Sequence, residues 1–293
     1  MRILLTGKNG QLGRCFQDVL VGTKHELFAY GSVELNIADA LQVDRVVQQV
    51  KPDIIVNAAA YTAVDRAETD SENAYLVNAT GPELLARQAA DLGIPFIHVS
   101  TDYVFDGAAA EPYLPTDDTN PQGVYGASKL AGEHAVVATC DKVIILRTSW
   151  VFSDYGNNFV KTMVRLAKER DELSVVADQY GCPTYAGDLA HAILQICERH
   201  EQGKALAWGI YHYCGDTPTS WHGFARAIFI KAEALSVIAK RPQLTAISSN
   251  QYPTPAKRPE YSVMSTVSLN DIGVMPSDWI DGLVYVIEHL SDL

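Results

Sequence analysis

Apolar residues along the chain fall into two alternating rhythms. Short, nearly continuous apolar runs at 2–6, 26–30, 52–56, 95–101 and 143–147 have the length and branching of parallel strands buried on both faces. Between them, apolar positions recur at helical spacing: from Gln11 to about Leu20, then over 38–50, 65–92 and 123–139. Strand and helix therefore alternate through the first half, which predicts an α/β fold with a doubly wound parallel sheet. The second half is less regular. It predicts helices over 157–170 and 187–200, strands over 173–176 and 209–213, and a Gly/Pro-bearing loop over 178–184. Ser220 caps a helix to about Leu235, and a further helix starts near Trp279 within 267–293. The stretch 242–259, rich in Pro, Ser and Thr, reads as loop.

Composition narrows the function classes. The 293 residues suffice for one large α/β domain or a domain with a smaller lobe, and 47% hydrophobic content supports a sizeable core. A formal charge of −12 argues against nucleic acid or an anionic membrane as partner, while leaving room for a small anionic ligand held by a few cations. The five cysteines are scattered and form no C-x-x-C, so reduced thiols are expected rather than a disulfide framework or a zinc site. With no signal-peptide pattern and no apolar run of membrane-spanning length, a cytoplasmic protein is expected.

The candidate chemistry sits at the ends of the predicted strands. Gly7-Lys-Asn-Gly10-Gln-Leu-Gly13 stands between the first strand and the first helix, a spacing that lets a pyrophosphate approach unpaired N–H groups at the helix start. This makes residues 1–150 a Rossmann-like, NAD(P)-binding domain. Residues 151–293 then form mainly a substrate lobe, with some segments returning to the first domain and the last helix packing back on the sheet. Strand two ends in Tyr30-Gly31-Ser32, lacking both the acidic residue that holds a ribose 2′-OH and an arginine to attract a 2′-phosphate. Cofactor preference leans weakly to NADPH, with NADH open. Small residues follow strand three (Asn57-Ala-Ala-Ala60-Tyr61-Thr62), and a hydroxyl-bearing run, Ser100-Thr101-Asp102, follows strand four. His98, mid-strand, reads as a satisfied core histidine. Tyr125 and Lys129 lie four residues apart on one helix face. An ammonium roughly 5 Å from a phenol favours the phenolate by ~3 kcal/mol at an effective dielectric of ~20, so Lys129 is expected to lower the Tyr125 pKa.

Taken together, the glycine turn, Asn57-Ala-Ala, Ser100-Thr101-Asp102 and Tyr125-x-x-x-Lys129 resemble the extended short-chain dehydrogenase/reductases. The runs Ser100-Thr-Asp-Tyr-Val-Phe105, Arg147-Thr-Ser-Trp-Val-Phe152, Gly156-Asn-Asn-Phe159, Asp178-Gln-Tyr-Gly-Cys-Pro-Thr184 and Arg258-Pro-x-x-Ser262 are similar to those of the dTDP-4-dehydrorhamnose reductase family, over nearly the whole chain. The resemblance implies hydride transfer from NAD(P)H to C4 of dTDP-4-dehydro-L-rhamnose, the last step of dTDP-L-rhamnose synthesis. Catalysis would fall to Tyr125 as proton donor, Lys129 on the nicotinamide ribose and Thr101 on the keto group. Gly10, Gln11 and Leu12 would bind the pyrophosphate, with Asn36 and Ile37 near adenine. Ala60, Tyr61, Thr62 and Val99 would line the cofactor, and Thr101, Asp102 and Trp150 would contact the sugar nucleotide. Arg258 would contact its diphosphate, although spacing alone equally allows a surface arginine there. In some members an acidic residue just after the third glycine joins a metal-bridged dimer; Arg14-Cys15 stands here, so Mg2+ finds no support in the sequence, while a homodimer stays open. An epimerase or dehydratase of the same superfamily is a second reading, although Tyr103 replaces half of the Asp-Glu pair common in dehydratases. A reductase-like regulatory subunit, such as the β subunit of methionine adenosyltransferase, is a third.

Overall fold

The computed structural model describes residues 1–290, so the last three positions of the expected lobe, 291–293, lie outside the described residues. The first half runs β1 (Arg2–Thr6), α1 (Gln11–Val19), β2 (Glu26–Tyr30), α2 (Ala40–Val50), β3 (Ile54–Asn57), α3 (Val64–Ala67), α4 (Ser71–Tyr75), α5 (Gly81–Leu92), β4 (Phe96–Thr101), α6 (Val124–Thr139) and β5 (Val143–Thr148). The second half follows with β6 (Val151–Phe152), α7 (Phe159–Glu169), β7 (Glu172–Val176), β8 (Tyr180–Gly181), β9 (Thr184–Tyr185), α8 (Ala186–Glu201), β10 (Gly209–His212), β11 (Thr219–Ser220), α9 (Trp221–Ala234), β12 (Gln243–Ile247) and α10 (Trp279–Leu290).

The main sheet has six parallel strands in the order β10-β5-β4-β3-β1-β2. Its apolar strands are covered on both sides. Phe16 of α1 and Ile193 of α8 pack on one face, while Val46 of α2, Leu85 of α5 and Val136 of α6 pack on the other. Strand order reverses between β1 and β3, the place where open α/β sheets bind ligands at the carboxyl ends of their strands. Both α8 and β10 come from beyond residue 150, so the chain crosses to its second lobe and returns. That lobe has its own core of Val160, Phe224, Ile228, Trp279 and Leu283, among others. The last helix, α10, belongs to this core beside α9, because its apolar stripe meets Phe224 and Phe229, and not to the main sheet as expected. Among the described residues no helix is long and apolar enough to cross a membrane.

Two further expectations fail for physical reasons. The helical pattern over 65–92 is not one helix: α3 and α4 are separate, and Leu76–Thr80 winds as a π-helix before α5. Pro82 has no N–H to donate back to Asn78, and Gly132 of α6 presses on the released Asn78 carbonyl, which would stand 2.0 Å from a Cβ at that glycine. The Asn78 side chain accepts from Tyr61 N at 2.8 Å and donates to Tyr61 O and to the Ser128 hydroxyl at 3.1 and 3.0 Å, so the bulge joins the loop after β3 to α6. The supposed loop 242–259 contains β12, paired in parallel with β7. Pro242 lies just ahead of the first paired residue, where its missing donor does no harm.

Candidate active site

The glycine turn leaves no room for a side chain at Gly7 or Gly13. Gly7 has φ 78°, and a Cβ there would lie 2.6 Å from Ala58 C and Ala59 N, across the gap between β1 and β3. Gly10 N donates to Gly7 O at 3.0 Å, and a Cβ on Gly13 would meet Gly7 O at 2.1 Å. Gly10 is the N-cap of α1, which has no side-chain cap and no acidic residue in its first turn, so its leading N–H groups stay available to an anion. Gly13→Ala is expected to abolish dinucleotide binding and to destabilise the fold by about 1–3 kcal/mol, because the clash is with backbone. Titration calorimetry and thermal unfolding check the two effects.

Above this turn lies a cavity of about 660 Å3. It gathers Gly7, Gly10, Gln11, Leu12 and Gly13 from the turn, Asn36 and Ile37 from beyond β2, and Ala60 and Thr62 from beyond β3. Val99, Thr101, Asp102, Tyr125, Lys129 and Trp150 complete the expected set that lines it. The shape suits a dinucleotide: backbone N–H groups at one side, small residues along β3, and ionisable groups at the far end.

Two expected residues do not line the cavity. Tyr61 is held by Asn78 through its backbone, and its hydroxyl donates to Asp70 at 2.9 Å. Arg258 donates from Nη2 to Asp65 Oδ2 at 2.8 Å, while its buried Nη1 has no partner. His98 is fully buried, as expected of a core histidine, with Nδ1 3.0 Å from Asn57 Nδ2. Its Nε2, however, has no partner, so it is not satisfied.

At the chemical end, Thr101 Oγ1 donates to Asp102 Oδ1 at 3.0 Å and accepts from Tyr103 N at 3.2 Å. α6 is pressed onto this corner because Gly126 has no side chain; a Cβ there would stand 2.1 Å from Tyr103 O. The rings of Tyr103 and Tyr125 meet edge to face, 5.4 Å between centroids. Lys129 is buried and its Nζ donates to Val99 O at 2.7 Å.

The expectation that Lys129 lowers the Tyr125 pKa is overturned. Burial pushes the phenol up to about 12, partly offset by the Thr101 hydroxyl and reinforced by the Asp102 charge. Burial also holds Lys129 down to about 8, against the pull of Glu133. Desolvation disfavours both charged forms, and the ammonium spends its hydrogen bond on Val99 O. Tyr125 is thus a neutral phenol at pH 7, the form a proton donor needs. Asp102 is raised to about 6 by burial, against the Ser262 and Thr101 hydroxyls that pull it down.

Trp150 has φ 48°, an unusual setting for a bulky residue. Its ring stacks on Trp221 with 3.6 Å between centroids and 9° between planes, and Phe159 closes on Trp221 at 4.7 Å. The turn carrying it is pinned to the 178–184 segment: Ser149 Oγ donates to Cys182 O at 2.6 Å, and Thr184 Oγ1 donates to Ser149 O at 2.7 Å. Trp221 was not foreseen, since nothing near Ser220 marks it as more than a first-turn aromatic. Gln11 is also busier than expected. Its amide donates to Val151 O at 3.3 Å and accepts from Ser153 Oγ at 3.1 Å and Asn158 Nδ2 at 2.9 Å, linking the glycine turn to the second lobe.

The RmlD substrate binding domain model matches residues 1–291. A dTDP-4-dehydrorhamnose reductase of Aggregatibacter actinomycetemcomitans is 47% identical over 280 residues, covering 95% of each chain. Among solved structures, a dTDP-4-dehydrorhamnose reductase from Clostridium acetobutylicum superposes with a TM-score of 0.91 at 40% identity, covering 99% of both chains. Another from Bacillus anthracis, in complex with NADP, gives 0.90 at 38%, covering 97% of this chain and 98% of that one. Matches that run from end to end, through the glycine turn, the Tyr125 helix and the second lobe alike, place the chain in the RmlD substrate binding domain family.

Proposed function

We propose that the protein is an NAD(P)H-dependent dTDP-4-dehydrorhamnose reductase acting in the cytoplasm. The observation that carries the reading is the meeting of Thr101, Tyr125 and Lys129 at one end of a dinucleotide-shaped cavity, in a chain whose full-length relatives bear that name. When bound, the reduced nicotinamide supplies a hydride to C4 of the keto sugar. Tyr125 gives its phenolic proton to the C4 oxygen as the alcohol forms. Thr101, whose hydroxyl favours the phenolate form of Tyr125, orients the carbonyl oxygen. Lys129 holds its ammonium beside the site and supports negative charge developing on the phenol. Trp150, flat against Trp221, offers an apolar face to the deoxysugar.

The test is loss of absorbance at 340 nm with purified protein, NADPH and dTDP-4-dehydro-L-rhamnose generated in situ, with NADH in parallel. Consumption that requires the sugar nucleotide is the expected result. A protein that instead leaves purification with about one tightly held NAD per chain and consumes neither cofactor would be an epimerase. The pH profile is a second check. The Lys129 ammonium is present below about 8 and lost above it, and the Asp102 carboxylate is present above about 6 and lost below it. kcat/KM is therefore expected to be level between about 6 and 8 and to fall on either side. A profile still rising at pH 9 would remove Lys129 from its assigned role.

A further inference from the structure

The carboxyl end of β2 is where the adenosine ribose of a dinucleotide meets its fold, and an acidic side chain there usually selects the free 2′-OH. Gly31 occupies that place, closely packed by side-chain ends: a Cβ would stand 2.6 Å from Asn9 Nδ2 and 3.1 Å from Glu34 Oε2. An acid arrives nonetheless, from three residues later. The backbone closes a turn in which Glu34 N and Leu35 N both donate to Gly31 O, at 3.1 and 2.9 Å. This brings the Glu34 side chain back, so that its Oε2 accepts from Gly31 N at 2.9 Å. A cation arrives from the other side. Lys8 is fixed beside the strand end by its backbone N–H, which donates to Tyr30 O at 3.1 Å, and its Nζ donates to Glu34 Oε1. Both side chains keep contact with solvent, at 27% and 46% exposure, and they flank the cavity wall formed by Asn9, Gly31 and Ser32. Lys8, first, and the Gly31 N–H, second, hold the Glu34 carboxyl below its usual range, so it stays ionised.

We infer that Lys8 and Glu34 set the cofactor choice of this protein: Lys8 is the cation that would receive a 2′-phosphate, and Glu34 is the carboxylate that restrains it and favours a free 2′-OH. The inference rests on the dinucleotide reading of the cavity. As the pair stands, its charges cancel, and the protein takes cofactors with and without the phosphate at affinities within about tenfold of each other. An ion pair of this exposure contributes little to stability, so either member can be changed without loss of the fold. A charge several ångströms from a dianionic phosphate in water-like dielectric changes affinity by about tenfold.

The experiment uses two nicotinamide-free probes, ADP-ribose and 2′-phospho-ADP-ribose, titrated calorimetrically into the full-length protein at low salt. Lys8→Met is expected to weaken the 2′-phosphate probe about tenfold and to leave ADP-ribose within about twofold. Glu34→Gln keeps an acceptor for Gly31 N and is expected to tighten the 2′-phosphate probe about tenfold. Raising the salt should shrink both effects, since the charges are solvent-exposed. An unchanged ratio of the two dissociation constants in both variants would overturn the assignment of Lys8 and Glu34 while leaving the dinucleotide site intact. Failure of the unaltered protein to bind either probe would overturn the dinucleotide reading and this inference with it.

Discussion

Tyr125→Phe should lower kcat by about a thousandfold and leave NADPH affinity within about twofold. Proton transfer by a positioned side chain contributes roughly 10²–10⁴-fold, and the variant deletes the phenolic oxygen assigned as proton donor. Little else changes. The ring keeps its edge-to-face contact with Tyr103, and Gly126 still seats α6 on the corner after β4. Affinity for the dinucleotide depends on the glycine turn and the small residues after β3, which the substitution does not touch. Steady-state assays at 340 nm and calorimetric titration of NADPH separate the two quantities. Turnover near that of the unaltered protein would remove Tyr125 from the mechanism; a parallel loss of NADPH binding would make its role structural.

Arg147→Met is expected to be the most destabilising change of a residue outside the cavity. Arg147 of β5 meets Glu133 of α6 through three contacts, Nε to Oε1 and Oε2 at 3.0 and 3.1 Å and Nη2 to Oε2 at 2.7 Å. Both side chains are almost fully buried, and the guanidinium lies over the Phe105 ring, 5.1 Å from its centroid. Removing the arginine strands a buried carboxylate, a loss of about 3–5 kcal/mol, or roughly 10 °C in melting temperature for a chain of this size. Glu133→Leu added to it should recover most of the stability, because the desolvated charge is then gone as well. Thermal unfolding of the single and double variants distinguishes this from simple loss of packing, which the second change would worsen. Glu133 also raises the Lys129 pKa across one helical turn, so the pair reaches the chemistry through electrostatics.

The parts of the molecule that could be read from the chain are those whose signal is local. Gly7, Gly10 and Gly13 announce their turn by spacing, backbone approach excludes a side chain at Gly7 and Gly13, and Tyr125 and Lys129 share a helix face through four-residue spacing alone. What escaped depends on partners distant in sequence. Pro82 marks the end of ordinary helical bonding, yet the π-helix also requires Gly132 to stand against Asn78 O. β12 has a plain composition and becomes a strand because β7 offers an edge. Arg258 pairs with Asp65, far earlier in the chain, a contact that its local spacing does not announce. The Tyr125 pKa was misjudged in sign because a sequence shows the neighbouring ammonium but not the burial that opposes it. Glu34 was passed over because the acid of strand two was sought at the strand end and not after a turn.

One amide has a consequence for how the two ligands know of each other. Gln11 opens the helix at the pyrophosphate end, yet its side chain is shared out among Val151, Ser153 and Asn158 of the other lobe. A ligand seated on the glycine turn and one seated beside Val151 would then both meet the setting of the same side chain. Whatever factor the cofactor adds to the affinity of the sugar nucleotide, the sugar nucleotide must return to the cofactor in equal measure. Loosening that amide would uncouple the pair, turning a sequence of dependent arrivals into two independent ones.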